Sequence, residues 1–329
     1  MRKTFTFVII GSGMISRNYF QAMKKIDAAE IVGVVSRSGA GADHIPAHIE
    51  VATDISRISK EFDAVIIATP NGLHHEGAIA SAARGKHVLT EKPLDITAAN
   101  MDQMIGACAA HKVKLGVVYQ HRLSPDYLSI KKLLEAKSFG RIYCADFAVR
   151  CWRDQEYYDS GQWRGTWKVD GGGPFMQQAC HELDLYTWFF GMPEEVVAFT
   201  GTYGHTIEVE DHGVAIFRHA DGMVGSFIAS TVAYPGFDPS LAMHTERGTV
   251  LMTNGRITGW HIREMENPSR QLHQPLHSAG ASAVVKDVSG HQAVIEEFIS
   301  AVQENREPFI SGASARAATE LALRIYGDR

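Results

Sequence analysis

The chain has 329 residues, 45% of them hydrophobic and 21% charged, a composition typical of a globular protein long enough for two domains. Its formal net charge of −5 gives no electrostatic reason to expect nucleic acid or an anionic membrane as a partner. No C-x-x-C, H-x-x-H or H-E-x-x-H pattern occurs, and no apolar stretch approaches the ~18 residues of a membrane helix. Together with four scattered cysteines, this predicts a cytoplasmic protein with no metal site and no membrane span.

A glycine-containing turn follows the first apolar run. The segment TFTFVIIGSGMIS is rich in β-branched residues and leads into RNYFQAMKKI, whose apolar residues have helical spacing. Gly11 permits a tight turn there, and Gly13 lets a pyrophosphate approach the backbone at the helix N-terminus. Met14 and Ile15 begin the helix, and Ser16 takes the third, small position of the motif. The pattern predicts a dinucleotide site, the alternative being a chance glycine turn between a strand and a helix.

The second strand, EIVGVVSRS, lacks at its end the acidic residue that holds the ribose 2′-hydroxyl in NAD-binding folds. It ends instead in Ser36, Arg37 and Ser38. Arg37 can stack on adenine and meet a 2′-phosphate, with the two serines as hydrogen-bond donors. The sequence therefore favours NADP(H), with NAD(H) as the alternative if Arg37 is a solvated loop residue.

Further strands alternate with helices up to residue 122, which predicts a doubly wound parallel sheet, or Rossmann domain, over residues 1–122. The strand segments are DAVIIATP, KHVLTEKP and KLGVVYQHR. Ligands of such sheets bind at the carboxyl ends of the strands. The candidates for cofactor binding at these ends are Thr69, Pro70, Asn71, His74, Glu91, Lys92 and Gln120. Arg122, at the last of these ends, is a candidate for substrate binding.

The second half of the chain has a different pattern. Long strands separated by turn signals predict an α/β domain over residues 123–329, with a large, mainly antiparallel open sheet. Asp221 and Gly222 mark a hairpin turn. Residues 265–289 lack periodicity and are predicted to form a loop. Two amphipathic helices, HQAVIEEFISAVQE and ASARAATELALRIYG, end the chain and can pack back on the first domain.

The stretch GGGPFMQQACHELD, residues 171–184, predicts a helix over residues 174–190 whose preceding glycines let the backbone pass close to a ligand. Gln177 and His181 are four residues apart and would share a helical face. Asp184 would orient His181 or cap a neighbouring segment. A histidine titrates near neutrality and suits proton exchange with a substrate. Taken alone, however, one histidine among 16 is more often a core or surface residue.

The chain resembles the Gfo/Idh/MocA family, the relatives of glucose–fructose oxidoreductase and inositol dehydrogenase. The similarity covers nearly the whole chain and includes GSGMIS, ATPNGLHHEGAIASAARGKHVLTEKPL, WRGTW, the GGG-to-HELD stretch and GHQAVIEEFISAVQENREPFISG. It implies a Rossmann domain followed by an α/β domain with an open sheet. It also implies oxidation or reduction of a secondary alcohol or carbonyl on a sugar, sugar derivative or cyclitol, and homodimers or homotetramers formed through that sheet.

The resemblance implies roles for individual residues. Lys92 matches the lysine of the family's EKP motif, which lies beside the nicotinamide and the reacting oxygen, and His181 matches the catalytic histidine. Trp163 and Arg164 match a loop that lines substrate in some members, although they could equally form an aromatic–cation packing pair. Gln177, the third catalytic candidate and also a substrate contact, stands where many members have an aspartate. Because an amide cannot ionise, this difference argues against a carboxylate-assisted proton relay.

Three functions fit these observations. The leading hypothesis is an NAD(P)-dependent oxidoreductase acting on a CH–OH group. The second is a nicotinamide-dependent glycoside-cleaving enzyme, in which transient oxidation of one sugar carbon acidifies its neighbour and permits elimination. The third is a dinucleotide-binding protein without catalytic activity, which the presence of both Lys92 and His181 argues against and which Gln177 in place of an aspartate keeps open.

Overall fold

The computed structural model describes residues 4–39, 41–269 and 287–327. Most of the loop predicted over residues 265–289 thus lies outside the described residues. The chain divides into two compact units, the first formed by residues 1–120 with 285–316 and the second by residues 121–284 with 317–329. The sequence predicts a boundary after residue 122, whereas His121 and Arg122 belong to the second unit. Their side chains pack on residues of that unit.

Strands and helices are numbered along the chain. The strands are β1 (Phe5–Ile10), β2 (Ala29–Val35), β3 (Glu50–Ala52), β4 (Ala64–Ile67), β5 (His87–Thr90), β6 (Leu115–Val117), β7 (Ile142–Arg150), β8 (Glu195–Gly201), β9 (His212–Arg218), β10 (Val224–Ser230), β11 (Ser240–Thr245), β12 (Gly248–Thr253) and β13 (Arg256–Ile262). The helices are α1 (Met14–Met23), α2 (His74–Ala82), α3 (Ala98–Ala110), α4 (Pro125–Glu135), α5 (Gln155–Asp159), α6 (Cys180–Phe190), α7 (Ser289–Gln303) and α8 (Gly312–Tyr326). Short 3₁₀ turns cover Ile55–Arg57, Asn71–Leu73 and Gln120–Leu123.

The first unit is built on a six-stranded parallel sheet in the order β3-β2-β1-β4-β5-β6. Phe7, Val8 and Ile9 of β1 and Ile66 and Ile67 of β4 are completely buried, as expected for the central strands of a sheet covered on both faces. This strand order is that of dinucleotide-binding folds, so the predicted Rossmann architecture is confirmed. Helix α7 packs beside α1 and belongs to this unit.

Helix α3 is an element that the sequence patterns above did not predict. Its signals are present in the sequence, since Met101, Met104 and Cys108 recur at helical spacing and are all buried. Thr97 caps the helix by accepting a hydrogen bond from the backbone N–H of Asn100. The cap and the spacing together would have been sufficient to identify the helix.

The second unit contains a seven-stranded sheet in the order β13-β12-β11-β7-β10-β9-β8. Only the β7–β10 pair among these described strands is parallel, which confirms the predicted, mainly antiparallel sheet. Helix α6 covers one face, where Leu183 and Tyr186 share a core with Phe147 and Phe227 of the central strands. The predicted hairpin turn lies between β9 and β10, with Gly222 at φ +83°. Of the described helices, none combines the length and apolar character that a bilayer crossing requires.

Candidate active site

The glycine turn of the first unit contains two glycines with different physical requirements. Gly11 has φ +112°, and an added Cβ would lie 2.5 Å from the carbonyl oxygen of Ala68, so the fold itself requires glycine there. Gly13 has φ −71°, and an added Cβ would meet no protein atom within 4 Å. Gly13 is exposed directly before Met14 and Ile15, the first residues of α1. The fold thus does not require glycine at position 13. Its exposed backbone at a helix N-terminus leaves room for a pyrophosphate to approach.

Ser16 holds this turn in place. Its hydroxyl donates a 2.7 Å hydrogen bond to the carbonyl oxygen of Gly13, and His44 Nε2 lies 2.7 Å from the same hydroxyl. Burial, with a smaller contribution from Arg17, lowers the pKa of His44, which favours the neutral form of this ring. Ser16, at the third position of the motif, thus stabilises the conformation of the glycine turn.

The end of β2 presents hydroxyl groups and a cation. Ser12 Oγ donates to Ser36 Oγ at 3.1 Å, and Ser36 Oγ lies 3.2 Å from Ser38 Oγ. Arg37 between the two serines is exposed. No acidic side chain occurs from Val35 to Ser38. This end of the strand can accommodate additional negative charge on a nucleotide ribose.

In the loop after β4, the predicted cofactor-binding residue His74 lies in contact with the protein backbone. His74 is fully buried, and its Nδ1 and Nε2 atoms lie 2.8 and 3.0 Å from the carbonyl oxygens of Pro93 and Thr69. Its side chain therefore links two loops of the first unit instead of contacting a cofactor. Thr69 Oγ1 and Gln120 Oε1 are buried without a hydrogen-bond partner in the described part of the chain. Both atoms lie after carboxyl ends of strands, where a ligand could satisfy them. Pro70 and Asn71 open the 3₁₀ turn between β4 and α2, and Asn71 is buried.

Glu91 also has a structural contact in place of the predicted cofactor contact. Its carboxylate accepts a 2.7 Å hydrogen bond from the Tyr19 hydroxyl, lies 3.6 Å from His291 Nε2 and accepts from the backbone N–H of Lys92 at 3.2 Å. Burial opposes ionisation, but these hydrogen bonds and the nearby charges of His291 and Lys92 outweigh it, so the pKa of Glu91 is lowered. The carboxylate thus fixes the backbone of Lys92, whose side chain is half-buried.

In the second unit, the sequence predicts a helix over residues 174–190. The observed helix, α6, starts at Cys180, six residues after the predicted start. In the stretch before α6, the Glu210 carboxylate accepts hydrogen bonds from the backbone N–H groups of Gly173 (2.9 Å) and Phe175 (3.3 Å). A Cβ on Gly173 would overlap the backbone of Glu210, so this glycine accommodates protein and not a ligand. Gln177 is therefore half-buried in a turn before the helix and does not share a helical face with His181.

His181, near the start of α6, stacks on a second histidine. Its ring centroid lies 4.4 Å from that of His121, with 28° between the ring planes. Nδ1 of His121 is 3.3 Å from Oε1 of Glu182. The His121 side chain is 36% exposed and that of Glu182 is 4% exposed. Neither His121 nor Glu182 was among the predicted site residues, because their proximity depends on tertiary contact and no sequence spacing indicates it.

Arg122 and Asp184 are also brought together, which changes the predicted role of both. Arg122 Nε and Nη2 donate to the two carboxylate oxygens of Asp184 at 2.7 and 2.5 Å. Asp184 therefore neither orients His181 nor caps a segment, and the buried guanidinium of Arg122 replaces the predicted substrate contact with a structural one. Burial raises the pKa of Asp184 to about 6 and Arg122 opposes that shift, so the pair is ionised at neutral pH.

Two roles are expected for Trp163 and Arg164, lining the substrate or packing on each other. The structure shows that they pack on each other. The guanidinium carbon of Arg164 lies 4.7 Å from the Trp163 ring centroid and 4.4 Å from that of Tyr157. Both predicted residues are half-buried. The contact orders this loop through cation–π interactions and leaves part of each side chain accessible.

Side chains that could ligate a metal also occur in the second unit. One such group is found in the described part of the chain. Its potential ligand atoms lie within 4.8 Å of one another and belong to Cys144, Asp146 and His244. Asp146 accepts a hydrogen bond from Ser226, and His244 Nδ1 lies 2.9 Å from Thr249 Oγ1. These residues alternate with the buried ones along β7 and β11 and thus face away from α6, the helix that carries His181.

Comparison with known proteins identifies the family. Residues 5–119 match the profile of an oxidoreductase family with an NAD-binding Rossmann fold, and residues 127–251 match the GFO/IDH/MocA C-terminal domain. The WlbA dehydrogenase from Bordetella pertussis, solved in complex with NADH and UDP-GlcNAcA, is 32% identical, covers 99% of this chain and 96% of its own, and superposes with a TM-score of 0.84. The chain belongs to the Gfo/Idh/MocA family of oxidoreductases.

Curated relatives in the Gfo/Idh/MocA family include two cyclitol enzymes. Inositol 2-dehydrogenase from Rhizobium meliloti (strain 1021) is 26% identical over 97% of this chain and 95% of its own length. The NADP(+)-dependent scyllo-inositol 2-dehydrogenase IolU from Bacillus subtilis (strain 168) is 28% identical over 74% of this chain and 70% of its own. One relative is thus named for NADP(+) and another was solved with NADH, and both share the Gfo/Idh/MocA framework.

Proposed function

We propose that this Gfo/Idh/MocA protein is a dehydrogenase or reductase that prefers NADP(H), also accepts NAD(H), and acts on a secondary alcohol or carbonyl of a sugar, sugar derivative or cyclitol. The observation that carries the proposal is that a glycine turn shaped for a pyrophosphate occurs in a chain that also keeps Lys92 and His181 at the family's motif positions. The relatives named above support the substrate class, since their names refer to a nucleotide sugar ligand and to inositols.

The cofactor would be held along the carboxyl edge of the first unit's sheet. Gly11, Gly13 and the N-terminus of α1 would bind the pyrophosphate, and Ser36, Arg37 and Ser38 the ribose 2′-phosphate. Thr69 and Gln120, whose buried oxygens have no partner in the described residues, would bind its more distant polar groups, together with Asn71. When bound, the nicotinamide supplies the two-electron hydride acceptor or donor.

Lys92 and His181 carry the proton and charge chemistry in this proposal. Hydride loss from an alcohol carbon requires the hydroxyl proton to leave, and the imidazole of His181 accepts it. Lys92 matches the family's lysine beside the reacting oxygen, and an ammonium group there stabilises the negative charge that develops during the reaction. Gln177 can hydrogen-bond to the substrate but cannot ionise, so the net proton transfer depends on His181. Trp163 and Arg164 contribute the accessible parts of their side chains to substrate binding.

We further propose a homodimer or homotetramer formed through the outer face of the second unit's sheet, in a cytoplasmic setting. That face exposes Val197, Phe199, Ile216 and Val224 on adjacent strands, which is unusual for a surface left in water. All four cysteines are free thiols, as suits a reducing compartment. Light scattering coupled to size exclusion tests the assembly, and Phe199→Glu is expected to shift it toward the monomer.

Cofactor preference is tested by titrating cofactor-stripped protein with NADPH and NADH and following fluorescence. We expect tighter binding of NADPH. Arg37→Ala should weaken NADPH binding by about 10- to 100-fold and NADH binding much less, because both cofactors have the adenine but only NADPH has the 2′-phosphate. Arg57→Ala, an exposed arginine on a neighbouring turn, is the matched control and should change neither. Tighter binding of NADH by the wild type would overturn the NADP(H) preference.

The reaction type is tested by following nicotinamide reduction with a panel that contains inositols, free sugars and UDP-linked uronic acids. Net accumulation of reduced cofactor in proportion to substrate consumed is the expected result. Release of an aglycone without net change in bound nicotinamide would instead identify transient oxidation followed by elimination.

A further inference from the structure

We propose that the second unit binds a zinc ion through Cys144, Asp146 and His244, on the face of its sheet that points away from α6. A water molecule completes the four-coordinate site. This inference goes beyond the proposed function. It concerns the second unit alone and requires neither the cofactor nor the substrate.

Strand register brings the three residues together. Cys144 and Asp146 are two residues apart on β7, so their side chains leave the same face of the sheet. His244 of β11 is the direct antiparallel partner of Cys144. The potential ligand atoms of the three side chains all lie within 4.8 Å of one another. No spacing in the sequence indicates this group, because the third ligand comes from a different strand.

The three donor atoms fit zinc better than a harder cation. Zinc binds thiolate sulfur, imidazole nitrogen and carboxylate oxygen at about 2.0–2.3 Å, which places tetrahedral ligands about 3.3–3.8 Å apart. The side chains therefore need to close by roughly 1 Å around the ion. Calcium and magnesium prefer ligand sets made of oxygen alone, so the Cys144 thiol argues against both.

Two side chains outside the group orient its members. Ser226, opposite Asp146 on β10, donates a 2.5 Å hydrogen bond to Oδ1 of that carboxylate. Nδ1 of His244 lies 2.9 Å from Oγ1 of Thr249, its partner on β12. These contacts leave Oδ2 of Asp146 and Nε2 of His244 as the atoms that bind the metal. Outer hydrogen bonds of this kind fix the tautomer and the orientation of metal ligands.

The charges in the group match a divalent cation. Burial, followed by the Asp146 carboxylate, raises the pKa of the Cys144 thiol, so the metal-free protein keeps that proton. When zinc binds, the S–H bond breaks, the Zn–S bond forms and the proton passes to solvent, with no change in oxidation state. The thiolate and the carboxylate then neutralise the ion. Because Asp146 is exposed and Cys144 half-buried, an ion can reach the group from solvent.

Zinc binding is tested on the full chain, first stripped with a chelator and kept in a non-thiol reductant. Equilibrium dialysis against Zn²⁺ with metal analysis gives stoichiometry and affinity, and Co²⁺ in place of zinc reports sulfur ligation through its thiolate charge-transfer absorption. Because the proposed oligomer forms through this face, Phe199→Glu is titrated alongside the wild type. His261→Ala, an exposed histidine on β13 of the same sheet, is the matched control.

We expect one zinc ion per chain and a cobalt–thiolate band. Zinc at about 100 times its Kd should raise the midpoint of thermal unfolding of the second unit by about 5–10 °C, because the ion binds only the folded arrangement of strands. His261→Ala should match the wild type in all three measurements.

Variants of the group separate a built site from adventitious binding. Cys144→Ser should abolish the cobalt–thiolate band, and Cys144→Ser and His244→Ala should each weaken zinc binding by more than the about 10- to 100-fold that outer contacts contribute. Ser226→Ala and Thr249→Val should weaken it by about tenfold or more, although neither residue touches the ion.

Two results would overturn the zinc site. One is the absence of stoichiometric zinc in both the wild type and Phe199→Glu. The other is a Cys144→Ser variant that binds zinc as tightly as the wild type. Neither result depends on turnover, so a failure of the zinc site and a failure of the proposed dehydrogenase activity are distinguishable.

Discussion

Arg122 and Asp184 form a bidentate ion pair inside the second unit, with side chains that are 2% and 0% exposed. Arg122 immediately follows His121, and Asp184 lies one turn after His181 on α6. The guanidinium carbon of Arg122 also lies 5.6 Å from the ring centroid of Trp188, one turn further along the helix. The Arg122–Asp184 pair thus links the turn that contains His121 to helix α6, which contains His181.

Breaking this pair is expected to destabilise the protein strongly. Arg122→Met should lower the free energy of unfolding by about 3–5 kcal/mol, because it leaves the buried Asp184 carboxylate without its partner. Arg122→Met combined with Asp184→Leu should recover most of that loss, since no charge is then buried. Denaturant unfolding followed by far-UV circular dichroism measures both.

The exposed pair Arg218–Glu195 provides the control, and Arg218→Met should leave the free energy of unfolding close to that of the wild type, because solvent screens this pair. If Arg122→Met unfolded like the wild type and only raised KM, Arg122 would be a substrate ligand after all, as the sequence predicted.

The two glycines of the cofactor turn are expected to respond in opposite ways to alanine. Gly13→Ala should leave stability within about 0.5 kcal/mol of the wild type and weaken NADPH and NADH binding by about tenfold or more, because its methyl group meets no protein but occupies the path of the pyrophosphate. Gly11→Ala should instead cost about 2 kcal/mol or more, from left-handed strain and contact with Ala68.

Gly106→Ala is the matched control for this series, since Gly106 lies in α3 with no atom within reach of an added Cβ. It should raise stability by about 0.5–1 kcal/mol without affecting cofactor binding. Normal cofactor affinity in Gly13→Ala would remove the main structural support for the pyrophosphate site.

Glu210 is expected to make stability depend on pH. Burial raises its pKa from 4.5 to about 7, and the hydrogen bonds from Gly173, Tyr326 and Phe175 only partly oppose that shift. The folded protein therefore keeps a proton on Glu210 in a pH range where the unfolded chain has lost it. The stability that this difference provides is complete below about pH 4.5 and is lost as the pH rises through about 7.

Relative to Glu210→Gln, which does not titrate, the wild type should lose up to about 3 kcal/mol of unfolding free energy between about pH 4.5 and 8. Denaturant unfolding at a series of pH values tests this, with the exposed Glu156→Gln as control. A wild type that gained stability relative to Glu210→Gln with rising pH would mean that the hydrogen bonds outweigh burial.

Local sequence patterns were sufficient for the features that depend on neighbouring residues. The strand–glycine–helix order around Gly11 and Gly13 predicted β1, the turn and α1 correctly, because turn geometry and helical periodicity are local properties. The alternating pattern after residue 140 likewise predicted the mainly antiparallel sheet, and Asp221 and Gly222 predicted its hairpin turn.

The errors arose where distant side chains override local preference. Gln177 lies in the turn before α6, a stretch whose backbone N–H groups at Gly173 and Phe175 are bound by Glu210, more than 30 residues away. Asp184 pairs with Arg122, 62 residues earlier, and not with nearby His181. His74 and Glu91 lie at the predicted strand ends, but their side chains turn inward, and one sequence gives no measure of side-chain direction in a loop.

The most direct test of the central claim is turnover by Lys92→Met and His181→Ala together with their cofactor affinity. Both variants should bind NADPH like the wild type and lose about 100-fold or more in kcat, because each removes charge or proton transfer needed only during reaction. Lys24→Met and His111→Ala, two exposed positions in the first unit, should retain wild-type turnover. Full activity in Lys92→Met or His181→Ala would contradict the assignment of these residues to the chemical step.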